Sequence, residues 1–170
     1  PTPPAEPDID RHLNAMAIDL ASFGLEKYSH YETRVLNARL NWKLVIDTFL
    51  ETYHLSVLHK TTIAPILHSN LGTFDGMGLN LRMIGARRTI DGLREKPESE
   101  WDLVRHSALV YVLFPNTVFI MQGDHLETWR IYPGESVNDS KMHVSLYTPE
   151  PATTDKARAY WDRNMQLLMD

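Results

Sequence analysis

Cysteine is absent from all 170 residues. That absence excludes disulfides, thiolate metal sites and any iron–sulfur cluster held within these residues. No apolar run approaches the about 18 residues that a membrane-spanning helix needs, and the N-terminus lacks the charged-then-apolar order of a secretory signal. A membrane partner is therefore not expected, and the address is expected to be cytoplasmic. Basic charge is also in short supply. The 17 Lys and Arg stand against 22 Asp and Glu, for a net charge of −5, and the cations cluster nowhere. Nucleic acid and anionic lipid both need such a cluster, so both drop out as partners.

What is present is the composition of one globular domain. Hydrophobic residues make up 43% and charged residues 23%, with both signs mixed along the chain. A chain of this length buries about 70% of the surface its unfolded form exposes, which is enough for a single core. Pro1 to Pro7 holds four prolines among small and acidic residues and reads as an extended linker entering the domain. The first residue is not Met, and the chain stops at Asp170 within a helical pattern, so both ends are expected to continue in a longer protein.

Periodicity divides the remainder. Leu13, Met16, Ala17, Leu20 and Ala21 recur at helical spacing and predict one amphipathic helix over Ile9 to Leu25, with Gly24 as its stop. Tyr28 to Leu40 reads as a strand and Asn41 to Tyr53 as a second helix, capped by Asn41. Thr61 to Gly78 carries so many Gly, Pro, Asn and Asp residues that a loop beside a pocket is predicted. Five short β-rich runs follow, namely Leu79 to Ile90, Ala108 to Pro115, Asn116 to Gln122, Leu126 to Tyr132 and Lys141 to Thr148. Ala108 to Phe114 is apolar throughout and should lie inside the sheet. A final helix, capped by Thr153 or Thr154, carries Ala157, Tyr160, Trp161, Met165 and Leu168. Helices packed on one antiparallel sheet define an α+β domain.

The chemistry concentrates in one stretch. On an ideal helix Asp47, Glu51 and His54 fall within roughly 60° of one another, whereas His59 lies about 140° from His54. The two histidines therefore reach one ion only if the helix loosens or ends between them. Neutral imidazole suits Fe, Zn and Cu, and two His with one carboxylate and open positions is the arrangement of non-haem Fe(II) oxygenases. With eight His in the chain, spacing alone leaves a metal pair and a chance pair both open.

The wider pattern, Asn41-Trp42-Lys43-x3-Asp47-x3-Glu51-x-Tyr53-His54-x4-His59, resembles the mononuclear-iron motif of the Rieske-type ring-hydroxylating oxygenase α subunits. The resemblance implies a helix-grip, START-like catalytic domain over residues 8–170, with residues 1–7 leading from an N-terminal Rieske domain that carries a [2Fe-2S] cluster. It implies that His54 and His59 bind a mononuclear Fe(II). Glu51 would occupy the bridging-carboxylate position, where many members carry Asp, and Asp47 and Tyr53 would support the site. In the family that carboxylate links an iron-ligating His to a cluster-bound His of a neighbouring subunit within a trimer. NAD(P)H electrons would arrive through a partner reductase or ferredoxin, and the substrates would be dioxygen and a small molecule. Glu at position 51 resembles members acting on quaternary ammonium compounds as well as some acting on aromatics. The third iron ligand of the family is an Asp past the last helix, expected here beyond Asp170, with Asp162 and Asp170 as in-chain candidates.

Simpler readings stand beside these. A START-like small-molecule binding module, whose His pair is incidental or binds zinc, fits the same pattern. Leu50, Leu55, Met83 and Phe119 are candidates for the pocket, with core packing as the default for each. His125, after Gly123-Asp124 at a turn, reads as structural, and His12, His30, His68, His106 and His143 read as solvated or structural. Trp129, Tyr132, Tyr160 and Trp161 read as core.

Overall fold

Seven segments pair into one antiparallel sheet. They are β1 (Ser29–Ala38), β2 (Leu67–Met77), β3 (Asn80–Arg87), β4 (Ser107–Leu113), β5 (Thr117–Met121), β6 (Leu126–Pro133) and β7 (Ser140–Thr148). Their order is β1-β7-β6-β5-β4-β3-β2, so β2 to β7 form a meander and β1 joins beside β7. Four α-helices, α1 (Ile9–Leu13), α2 (Met16–Ser22), α3 (Trp42–Phe49) and α4 (Asp155–Met169), complete an α+β domain among the described residues. This computed structural model describes residues 8–169; the expected linker and Asp170 lie outside them.

Both faces of the sheet are covered at its centre. On β4, Val110 and Val112 join a cluster with Val45 and Ile46 of α3, while Leu109 and Tyr111 join Met16 of α2 on the other face. Successive side chains of a strand point to opposite faces, so only an apolar run can serve two such layers. Ala108 to Phe114 meets that requirement. The long helix α4 lays Trp161 and Met165 over Leu146 of β7. Thr154 Oγ1 accepts the Ala157 N–H at 3.1 Å and caps this helix.

Three elements depart from the pattern read off the chain. The first helix is two short ones, because Asn14 takes a left-handed φ of 54° between α1 and α2. Its side-chain oxygen accepts the Ala15 N–H at 2.8 Å, a local bond that Asn offers and most residues cannot. The expected loop from Thr61 to Gly78 contains the edge strand β2, where Gly72 serves close pairing. A Cβ at Gly72 would sit 3.1 Å from the Ile84 carbonyl of β3. The second helix ends at Phe49 rather than Tyr53, which changes the geometry of the motif it was expected to carry. Among the aromatics, Trp161 is buried at 8% exposure, whereas Tyr132 and Tyr160 are 41% and 49% exposed.

Candidate metal centre

Asn41 begins α3 by accepting the Lys43 N–H at 3.0 Å, and Phe49 anchors the helix against Trp129 of β6 with ring centroids 5.1 Å apart. Beyond Phe49 the chain leaves the α-helix and re-forms as a 3₁₀ turn, Tyr53–Ser56. Glu51 makes that turn. Its Oε2 accepts the main-chain N–H groups of Tyr53 at 2.6 Å and His54 at 3.1 Å, while its Oε1 meets His54 Nδ1. Thr52 donates to the Ser69 carbonyl at 2.8 Å, tying the turn to β2. The His59 carbonyl accepts from Thr62, Ile63 and Ala64, which closes the next turn.

These turns place the His54 and His59 rings 5.4 Å apart between centroids, with planes inclined at 76°. Both imidazoles are thus within reach of one ion at ordinary metal–nitrogen distances of about 2.1 Å. Burial alone would push the Glu51 carboxyl up, but the His54 amide and ring, with the Tyr53 amide, hold it below its ordinary value. An ionised carboxylate only accepts hydrogen bonds, so His54 donates from Nδ1 and Nε2 is the ring nitrogen left for a metal. Burial, and then the nearby His54, lower the His59 pKa, which favours its neutral form. A neutral imidazole with a fixed tautomer is the donor a divalent metal needs, so the two side chains fit such an ion. Among the described residues, no third His, Cys, Asp or Glu completes a group of three.

The pair opens on a cavity of about 1060 Å³ between α3, α4 and the sheet. Leu55 and Met83 line it together with Glu51, His54 and His59; Leu50 and Phe119 are not among its lining residues. Phe119 packs on the opposite face of the sheet with Met16 and Tyr111, as the alternation along β5 dictates. Asp47 is exposed and does not line the cavity, because the helix ends before Glu51 and the shared helical face is lost. Asp162 lies outside the lining as well, accepting from Tyr31 Oη at 2.6 Å.

A second polar group on the cavity wall had no motif to announce it. The turn between β5 and β6, which needs Gly123 at a φ of 92°, brings Asp124, His125 and Glu127 together. Nδ1 of His125 meets Asp124 at 2.7 Å and its Nε2 meets Glu127 at 3.3 Å. Burial works against the charged ring, yet the two carboxylates outweigh it and push its pKa up to about 9. Tyr160 of α4 donates to Asp124 at 3.1 Å. Arg87, at the end of β3, and Gln122 complete this wall. The one sequence signal was Glu127, a carboxylate on the strand face that also carries Trp129 and Ile131.

A helix-covered antiparallel sheet thus encloses a cavity with two imidazoles on its wall. Residues 25–169 match the family described as the ring-hydroxylating α subunit, catalytic domain, and the chain belongs to that family. Among solved structures, the quaternary ammonium Rieske monooxygenase CntA in complex with an inhibitor superposes with a TM-score of 0.72 at 15% identity, over 93% of this chain and 41% of that one. CntA with its substrate L-carnitine gives 0.70 at 15% identity over 95% and 42%. A naphthalene 1,2-dioxygenase variant bound to phenanthrene gives 0.60 at 12% identity over 96% and 43%. The chain thus spans about two-fifths of the length of these proteins. No protein of curated function matches it by sequence.

Proposed function

We propose that this domain is the dioxygen-activating half of a Rieske-type oxygenase, with His54 and His59 as two protein ligands of a mononuclear Fe(II) at the cavity wall. The observation that carries the reading is the Glu51–His54–His59 arrangement, in which one carboxylate both builds the turn and fixes the ring. Iron held there would supply dioxygen reduction and oxygen insertion into a small organic substrate.

The chain's own residues supply the rest. Glu51 keeps the His54 proton on Nδ1 and aligns the ring. The apolar walls, Val110, Ile120 and Met142 among them, exclude water from the chamber and hold an apolar substrate body. Two side chains of one short segment leave most of the ion's surroundings open to substrate and to a third ligand, a carboxylate proposed to lie beyond Asp170. Electrons would come from a [2Fe-2S] cluster in an N-terminal domain, fed from NAD(P)H by a partner reductase or ferredoxin. The exposed Tyr53, Val57 and Leu58, next to Glu51 in sequence, suit a neighbouring subunit in a trimer. Aromatic and quaternary ammonium substrates both fit the reading.

The test is reconstitution. Full-length protein, iron-loaded and supplied with a reductase and NADH, should consume oxygen in a substrate-dependent way, and His59→Ala should abolish this while the cluster is still reduced. Substrate binding without oxygen uptake in the native protein would instead support the small-molecule binding module.

A further inference from the structure

Of the four carboxylates lining the cavity, three face an imidazole and the fourth, Asp102, is exposed. Glu51 holds His54, and Asp124 and Glu127 share His125. Asp102 accepts the Arg105 main-chain N–H at 3.2 Å. The cations are not matched in the same way. Arg87 donates from Nε to the Ser107 carbonyl at 3.2 Å and from Nη2 to the carbonyl and side-chain oxygens of Gln122, both at 2.7 Å. All three acceptors are neutral. Among the described residues its guanidinium forms no ion pair, and its Nη1 makes no hydrogen bond. Arg105, exposed and also on the cavity wall, has no side-chain partner among them either.

A half-buried guanidinium keeps its charge at any working pH, and in a largely apolar chamber that charge is strongly felt. The neutral acceptors orient the fork without compensating it. Nη1 keeps its N–H groups free to donate to an oxyanion. A cationic substrate would find no uncommitted carboxylate on the buried wall and would face Arg87. We infer that the cavity takes a substrate with an apolar body and an anionic group, a carboxylate or a similar flat oxyanion, and that Arg87 recognises that group. This rests on the reading of the cavity as the substrate chamber and narrows it to one charge class.

Isothermal titration of the iron-loaded full-length protein tests this with benzoate and 2-naphthoate, their uncharged amides, and benzyltrimethylammonium. The carboxylates should bind at least about tenfold more tightly than the matching amides. Arg87→Gln, which removes the charge, should cut that preference to less than about threefold. Arg87→Lys, which keeps the charge but not the fork, should fall between; it serves if the Gln variant does not fold. The inference is overturned if the amides or the quaternary cation bind as tightly as the carboxylates, if Arg87→Gln keeps the preference, or if no carboxylate binds at millimolar concentration. Oxygen uptake followed in parallel separates the two claims. A carboxylate preference without uptake for any compound sinks the oxygenase reading and leaves the anion site, whereas uptake without a carboxylate preference does the reverse.

Discussion

His125 shows how a single residue can be plain in sequence and informative in place. Its ring is clamped by Asp124 and Glu127, and its pKa is pushed up to about 9 from an unfolded value of 6.5. A folded pKa above the unfolded one means stabilisation that is fully present below pH 6.5 and lost as pH rises through about 9. The native protein should therefore lose on the order of 2 kcal/mol between pH 6.5 and 10 that His125→Gln does not lose, read from urea midpoints across that range. Parallel pH profiles for the two proteins would show that the clamp contributes nothing. Glu51 makes a second prediction at this scale. A carboxylate that fixes a ligand imidazole is worth about 10- to 100-fold in metal affinity, so Glu51→Ala should weaken Fe(II) binding by that factor in direct titration. Unchanged affinity would remove Glu51 from the site. Glu51, His54 and His59 were legible because they lie within nine residues of one chain segment. Arg87, Gln122, His125 and Glu127 were not, since the pairing of four strands brings them to one wall and no spacing along the chain encodes it.

Among the elements, α3 and α4 position the cavity and can be weakened separately. Asn41→Ala removes the cap of α3 and the 2.8 Å bond from Asn41 Nδ2 to the Val137 carbonyl, and should cost about 1 kcal/mol in denaturant unfolding. No loss would mean that the helix start is held by packing alone. Trp161→Ala empties much of the contact of α4 with Leu146 of β7, and should cost about 3–5 kcal/mol by the same measurement. The strands from β3 to β7 were legible because each shows the alternation or the apolar run its burial demands. The helix bounds were less so. Nothing in the 41–53 stretch breaks a helix by composition; α3 stops where the Glu51 side chain captures two main-chain N–H groups, a tertiary-like choice made by one side chain. Likewise β2 hides its strand character behind turn-like residues, one of which, Gly72, sits where the partner β3 comes close.

For the whole molecule, the fold class followed from sequence order alone, since strands adjacent in the chain are adjacent in the sheet from β2 to β7. The family followed from the motif, and the match over residues 25–169 agrees with it. No helix among the described residues is long and apolar enough to cross a membrane. Where a third ligand of the proposed site would join was not legible, because two imidazoles do not specify it. The central claim is that these two imidazoles hold iron. Metal analysis of the full-length protein, purified anaerobically after Fe(II) loading, tests it most directly when native protein is compared with the His54→Ala/His59→Ala double variant. The account predicts that the native protein holds mononuclear iron beyond its cluster iron and that the variant loses only that fraction; equal iron in both would contradict it.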